Sequence, residues 1–197
     1  MKKTNKPEKI IDCALELLKT QGDHGLTMRQ VAQRSEMSLS NAQYYFKNKD
    51  ELLKAMSDRY FGACIEDIRS QASITSESDT DTELSEMLMG FLKHGLEVSE
   101  MCRIFREYWA IATRNEVIDQ HLTDYYRSMV ETLSGKLQAV AASPAAVDKA
   151  VSLIIPYVEG YSITAKAMPI DIEETNRMFV TMVLAILNEK EKNDSRL

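Results

Sequence analysis

The chain has 197 residues, of which 44% are hydrophobic and 27% are charged, and its net charge is −6. This length and composition predict a soluble globular protein with one or two domains. We expect neither membrane insertion nor secretion, because no run of about 18 apolar residues occurs and the N-terminal sequence MKKTNKPEKII lacks the apolar block of a signal peptide. We therefore expect a cytoplasmic protein.

Helix is favoured throughout, because the chain has only seven Gly and four Pro residues. A basic arm is expected at residues 1–5. Pro7 then suits the first turn of a helix, and the apolar face of this helix continues to Gly22, a good C-terminal cap. Cys13, Cys64 and Cys102 lie too far apart for a disulfide framework or a metal site, so neither a metal ion nor a cofactor is expected.

Two short helices follow, joined by a tight turn. Thr27 is the predicted N-cap of the first helix, and Ser38 is that of the second, which covers residues 39–45. About four residues remain between them, which is the connection length of a helix-turn-helix. Asn48 and Glu51 then form a capping box that begins a third helix.

The remainder of the chain reads as further amphipathic helices. The pattern predicts a long helix at 49–72, a polar loop at 73–82, and helices at 83–98, 100–114 and 116–140. Ser143 and Pro144 begin the next helix, in which Pro156 should produce a kink, and Asp171 with Glu174 begins the last. The predicted fold class is all-α, with about nine helices.

Charge is divided unevenly along the chain. Residues 1–60 hold eleven basic and eight acidic side chains, a net charge of +3, whereas residues 61–197 carry a net charge of −9. An anion-seeking surface is therefore expected near the N-terminus, where it coincides with the predicted helix-turn-helix.

Several sequence features occur together in this N-terminal region: T-x-R at 27–29, V-A at 31–32, Ser38, YYF at 44–46 and K-x-E-L-L at 49–53. This combination resembles the helix-turn-helix of the TetR family of bacterial transcriptional regulators. The resemblance implies a DNA-binding domain at residues 1–48 and a helical ligand-binding and dimerisation domain at 49–197. It also implies a repressor that binds a palindromic operator as a dimer and is released by a small molecule.

The chain departs from the family pattern in the turn, at Ser35 and Glu36, and in the second helix, at Ser40 and Gln43. We predict that the last two positions hold the operator specificity.

Short polar side chains at the start of a recognition helix can approach base edges in a major groove, and helix N-termini favour phosphate. On these grounds the predicted DNA-binding residues are Thr27, Arg29, Ser38, Ser40, Asn41, Gln43, Tyr44, Tyr45 and Lys49. Two alternatives stay open: Tyr45 is a core aromatic, as Phe46 is expected to be, and Lys49 is a solvated charge.

One such module reads too few base pairs for specificity, so a homodimer is expected. The last two helices carry more apolar surface than one face normally buries, and pairing with a second copy would form a four-helix bundle. The predicted interface residues are Val151, Ile154, Ile155, Val158, Phe179, Met182, Val183 and Ile186. The alternative is that these stripes serve only the core of one chain.

A small-molecule pocket is the second expectation for the C-terminal region. Aromatic rings with polar tips would bring an apolar cleft and a few hydroxyls together in one helix bundle, which suits an apolar or amphipathic effector. The predicted ligand-binding residues are Phe105, Trp109, Tyr126, Met129, Tyr157 and Tyr161. The alternative is that these side chains are plain core.

Two other classes of function are compatible with a helical chain. A helical enzyme would use Glu107, Glu159 or His121 as acid or base, but no metal-binding, phosphate-binding or nucleophile motif supports it, so we expect no enzyme. A helical protein-interaction adaptor without DNA binding is the remaining alternative, as is a regulator without an effector.

Overall fold

The computed structural model describes residues 5–70, 80–97 and 99–189, and for residues 80, 91–97, 99–103, 105 and 162 it describes the backbone alone. Within these ranges the chain forms nine α-helices and one short 3₁₀ helix, with no strand, which confirms the predicted all-α class. The helices are α1 (Lys6–Gly25), α2 (Met28–Arg34), α3 (Leu39–Tyr45), α4 (Lys49–Ser70), α5 (Thr80–Glu97), α6 (Ser99–Ala112), α7 (Glu116–Leu137), α8 (Pro144–Thr164) and α9 (Ile172–Leu187). The predicted arm and most of the predicted 73–82 loop lie outside the described residues.

The chain packs as two compact units. The first unit comprises residues 1–66 and 100–126, and the second comprises residues 67–99 and 127–197. The predicted division into a DNA-binding domain at 1–48 and a ligand-binding and dimerisation domain at 49–197 is a division by function. It stays a prediction. Among the described residues, no helix is both long and apolar enough to cross a membrane. No group of His, Cys, Asp and Glu side chains in the same ranges is arranged to hold a metal ion.

In the first unit, α1 buries Ile10, Ala14 and Leu18 and changes direction at Gly22. Gly22 has φ +68°, a left-handed conformation that glycine adopts without a steric penalty. The predicted end of the first helix at Gly22 therefore coincides with the break in its backbone, although helical hydrogen bonding resumes as far as Gly25.

The turn between α2 and α3 has no glycine. Ser35 is buried, and its hydroxyl donates to the carbonyl of Val31 at 2.8 Å. Glu36 takes the left-handed conformation instead, with φ 59°, and its carboxylate accepts a hydrogen bond from the Lys9 ammonium at 2.7 Å. A side chain in this conformation is strained, and the strain is offset by backbone hydrogen bonds within the turn, including Met37 N–H to the Ala32 carbonyl at 2.9 Å, together with the Lys9 contact.

The start of α4 follows the predicted cap with one difference. Asn48 Oδ1 accepts the backbone N–H of Glu51 at 2.9 Å, as expected. The Glu51 carboxylate, however, accepts the N–H of Lys47 at 3.0 Å and not that of the capping residue. The box is thus extended by one residue, and it still satisfies two N–H groups that helix geometry leaves unpaired.

The second unit is built around one apolar cluster with members from α4, α5, α7, α8 and α9. Leu84, Leu137, Ala150 and Val183 lie at its centre and are fully buried. The helix starts are as predicted: Ser143 accepts from the N–H of Ala146, with Pro144 in the first turn, and Asp171 accepts from that of Glu174. Helix α8 passes through Pro156 and continues to Thr164.

Candidate DNA-binding site

The second helix of the predicted pair, α3, has one buried side and one exposed side. Ala42 is fully buried, and its small size allows α3 to pack closely on α2. Leu39, Ser40, Gln43 and Tyr44 lie on the exposed side. Polar and aromatic side chains are therefore available along the outer face of this short helix.

Both helices of the pair begin at hydroxyl caps. Thr27 Oγ1 accepts the N–H of Gln30 at 3.2 Å and donates to its side-chain oxygen at 2.8 Å. Ser38 Oγ accepts the N–H of Asn41 at 3.2 Å and shares a hydrogen bond with the Ser40 hydroxyl at 3.1 Å. Because the Thr27 proton is already bonded, Thr27 can donate to a phosphate only by releasing Gln30.

The two tyrosines that end α3 differ in exposure. Tyr44 is 81% exposed, whereas Tyr45 is half-buried and packs edge-on against it, with ring centroids 5.2 Å apart. Phe46 is half-buried rather than fully buried. Tyr44 is thus the aromatic group available to an outside partner, and Tyr45 supports it from the protein side.

Two of the predicted cationic contacts are in different environments. Arg29 is exposed on α2. Lys49, at the first position of α4, is bonded to Asp23: its ammonium lies 2.6 Å from Asp23 Oδ1 and donates to the Asp23 carbonyl at 2.8 Å. Sequence reasoning did not identify Asp23, which is 26 residues away from Lys49 in the chain.

The chain is similar to known proteins in both sequence and fold. Residues 10–56 match the family model for bacterial regulatory proteins of the tetR family. An uncharacterised HTH-type transcriptional regulator encoded in the 5′ region of dhlA of Xanthobacter autotrophicus is 53% identical over 184 residues, which cover 93% of this chain and 91% of the relative. The chain belongs to the TetR family. This family consists of DNA-binding transcriptional regulators and not of enzymes.

Solved structures of other proteins share the fold of this TetR-family chain. Salmonella enterica GusR superimposes with a TM-score of 0.71 at 16% identity, covering 95% of this chain and 97% of that one. A complex of SmeT with triclosan superimposes with a TM-score of 0.69 at 15% identity and covers 98% of both chains. At these identities the similarity establishes the fold alone.

The predicted ligand residues of this TetR-family chain form two separate sets. In the first unit, Trp109 is 50% exposed and its indole N–H donates to the Tyr126 hydroxyl at 3.1 Å. In the second unit, Tyr157 lies near Tyr161, with ring centroids 5.7 Å apart, and stacks on Phe179 at 3.6 Å. The remaining two are Met129, which packs at the edge of the second-unit cluster, and Phe105, whose side chain lies outside the described residues.

Tyr157 has an unusual hydroxyl. The oxygen is buried and has no hydrogen-bond partner among the described residues. Burial, followed by the charge of Tyr161, raises the pKa of Tyr157 to about 12. An open surface cleft of about 410 Å³ lies elsewhere in this unit, at the α8–α9 connection, and of the predicted ligand residues only Tyr161 lines it.

The predicted interface residues of this TetR-family chain mostly face inward. Four of them belong to the core of the second unit: Val151, Ile154, Phe179 and Val183. Ile155, Val158 and Ile186 are half-buried, and Met182 alone is exposed, at 44%. Because α8 and α9 are apolar on nearly all sides, sequence periodicity did not indicate which face would be covered by the same chain.

Exposed apolar residues, Met182 among them, form a line along the outward face of each of α8 and α9. The exposed residues are Leu153, Pro156, Gly160 and Ile163 on α8, and Met178, Met182 and Ala185 on α9. We call these seven residues the α8–α9 surface. Their spacing of three and four residues places each set along one line of its helix.

Proposed function

We propose that this chain is a repressor that binds a palindromic operator as a homodimer and releases it when a small-molecule effector binds. The single observation that carries the DNA-binding part is the outer face of α3, where Ser40, Gln43 and Tyr44 are exposed on a helix whose opposite side is buried. Such a face has the size and chemistry to enter a major groove.

The nine predicted contact residues divide into two roles in this proposal. Ser40, Asn41, Gln43 and Tyr44 read base edges, with Gln43 suited to a bidentate bond to adenine and Tyr44 to a thymine methyl group. The others, Thr27, Arg29, Ser38, Tyr45 and Lys49, contact or support the phosphate backbone and fix the register of α3 on the duplex.

The α8–α9 surface supports dimerisation. Ile163 and Met178 are 61% and 57% exposed, which is unfavourable for large apolar side chains in water. A Cβ added at Gly160 would meet no atom within 4 Å, so a partner helix can approach closely there. Two copies joined through this surface would form a four-helix bundle and present two recognition helices.

An effector site in the C-terminal region is supported by chemistry and by one structural neighbour. SmeT, which shares this fold, has been solved in complex with triclosan. In this chain the candidate ligand groups are the Trp109–Tyr126 pair and the buried Tyr157 hydroxyl, and both combine aromatic rings with hydrogen-bonding atoms. An apolar or amphipathic molecule carrying a hydrogen-bonding group suits either location.

Capture of genomic DNA by the purified full-length protein tests this proposal. Recovered fragments should share an inverted repeat, and Gln43→Ala and Tyr44→Ala should reduce their retention in a mobility-shift assay. Val117→Ala shortens an apolar side chain that is 41% exposed on α7 and serves as the control, which should bind DNA as the unaltered protein does. Recovery of fragments without a common sequence would contradict the proposal.

A further inference from the structure

The Lys49 ammonium is largely neutralised within the protein. It is 2.6 Å from the Asp23 carboxylate and bonds the Asp23 carbonyl at 2.8 Å, so two of its three donors are used on one residue. The Lys49 side chain is 33% exposed and that of Asp23 is 24% exposed. A lysine in this position is a weaker phosphate ligand than an unpaired one, because binding a phosphate exchanges one charge-assisted bond for another.

Asp23 is itself held in place by α6. The Glu107 carboxylate accepts the backbone N–H of Asp23 at 3.1 Å. The same carboxylate lies against Gly22, where an added Cβ would be only 3.3 Å from Glu107 Oε2. The left-handed backbone at Gly22 and the absence of a side chain there both allow this close approach.

The turn after α6 adds two contacts to the same region of the first unit. Arg114 lies 3.8 Å from the second oxygen of the Asp23 carboxylate. Asn115 donates to Asp50 in the first turn of α4 at 2.8 Å, while its own oxygen caps α7. Asp23 and the start of α4 are therefore fixed by α6 and the residues that follow it.

We propose that Asp23 masks Lys49 and so limits the affinity of this protein for DNA, with Glu107 as the positioning residue that keeps Asp23 against the ammonium. The inference rests on the proposed DNA-binding function of the first unit. Asp23 competes with a backbone phosphate for Lys49, and the charge of Lys49 contributes to DNA binding only when Asp23 is displaced.

Through the contacts from Glu107 to Asp23 and from Asp23 to Lys49, α6 can change DNA affinity without any change in α3. A displacement of Glu107 releases the Asp23 backbone and unmasks Lys49, whereas retention of Glu107 keeps the lysine neutralised. Since Trp109 lies on the same helix two residues further on, the contact that holds the mask and one predicted ligand residue share α6.

The salt dependence of DNA binding tests whether Asp23 neutralises Lys49. The slope of log K against log salt concentration becomes more negative by about 0.9 for each phosphate that a cationic side chain contacts. The probe is a labelled duplex of random sequence, since phosphate contacts need no operator. Asp23→Asn should bind several-fold more tightly and should steepen the slope by about 0.9. In a Lys49→Met background, the same Asp23→Asn change should leave the slope unaltered.

The matched control is Asp119→Asn, which removes an equal charge from an exposed position on α7 in the same unit. It should leave the slope as in the unaltered protein. An equal steepening by Asp119→Asn, or an Asp23→Asn variant that binds no more tightly, would overturn the mask. If Asp23→Asn melts below the assay temperature, Asp23→Ser replaces it. An unaltered protein that binds no duplex at any salt concentration would overturn the proposed function itself.

Two substitutions test whether Glu107 positions Asp23, one without a hydrogen-bond acceptor and one with it. Glu107→Leu removes the acceptor for the Asp23 N–H and should steepen the salt slope in the same direction as Asp23→Asn. Glu107→Gln keeps an oxygen acceptor and should restore most of the original slope. If both variants lower the melting temperature equally and neither alters the slope, Glu107 has only a structural role.

Discussion

Two surfaces have no partner among the residues that the structure describes, and they differ in chemistry. The outer face of α3 is polar, with Ser40 and Gln43 beside one exposed ring. The α8–α9 surface is apolar, with Leu153, Ile163, Met178 and Met182 exposed by 38% to 61%. A polar face is stable in water when its partner is absent, whereas an apolar face gains free energy whenever it is covered. The difference is consistent with the proposed conditional binding of an operator by α3 and the proposed permanent binding of a second copy by the α8–α9 surface.

The largest effect is expected at the apolar surface. Met182→Glu places two like charges in the proposed two-fold interface and buries them without partners, which should weaken the dimer by roughly a hundredfold or more. Size-exclusion chromatography with light scattering should then show a monomer. Val117→Glu introduces the same charge at a 41% exposed valine on α7, and it should remain dimeric. A dimeric Met182→Glu protein would show that the α8–α9 surface is not the dimer interface.

The next effect is expected at the polar surface. Tyr44→Ala removes a side chain that is 81% exposed and should lower operator affinity by about 1–3 kcal/mol, the range for a direct base contact. Its melting temperature and dimeric state should not change, because the ring is mostly in water. Fluorescence anisotropy with a captured fragment measures the affinity. Equal affinity for this variant would show that α3 does not read DNA with Tyr44.

These contrasts also show what could be predicted from the sequence. The caps at Thr27, Ser38 and Asp171 were predictable, because each bonds a backbone N–H only three residues away. The bond from Asp23 to Glu107 spans 84 residues and depends on tertiary packing, so no local pattern indicates it. Pattern also identified α8 and α9 as apolar helices without showing which of their faces would be exposed.

A smaller effect concerns the interior of the second unit. Tyr157→Phe removes a buried hydroxyl that has no partner among the described residues, so it should stabilise the protein by about 1 kcal/mol. Burial raises the pKa of Tyr157 to about 12 in the folded state, against about 10 in the unfolded chain, so ionisation of Tyr157 favours unfolding as the pH rises from about 10 to about 12. Thermal melts of both proteins in an alkaline series should therefore diverge further above pH 10. Destabilisation by Tyr157→Phe would indicate that the hydroxyl is bonded.

The smallest effect is expected in the turn between α2 and α3. The hydrogen bond from Lys9, followed by its charge, lowers the pKa of Glu36 below its usual value. A carboxylate with a lowered folded-state pKa stabilises the protein at neutral pH, and this contribution is lost as the pH falls through that pKa. Glu36→Gln should melt slightly below the unaltered protein at pH 7, and the difference should disappear as the pH falls through the lowered pKa of Glu36. If the difference in melting temperature persists in acid, the loss of stability comes from the backbone of the turn and not from the charge of Glu36.

Footprinting on a captured operator fragment tests the central claim most directly. The protected base pairs report DNA contact by α3, and the symmetry of the protection reports a dimer. Two protected half-sites related by symmetry, with centres about 34–36 Å apart or a multiple of that, are predicted for two copies of α3 in successive major grooves. Gln43→Ala should alter protection at single base pairs in both half-sites. One unsymmetrical protected patch, or protection that is unchanged by Gln43→Ala and Tyr44→Ala together, would contradict the account.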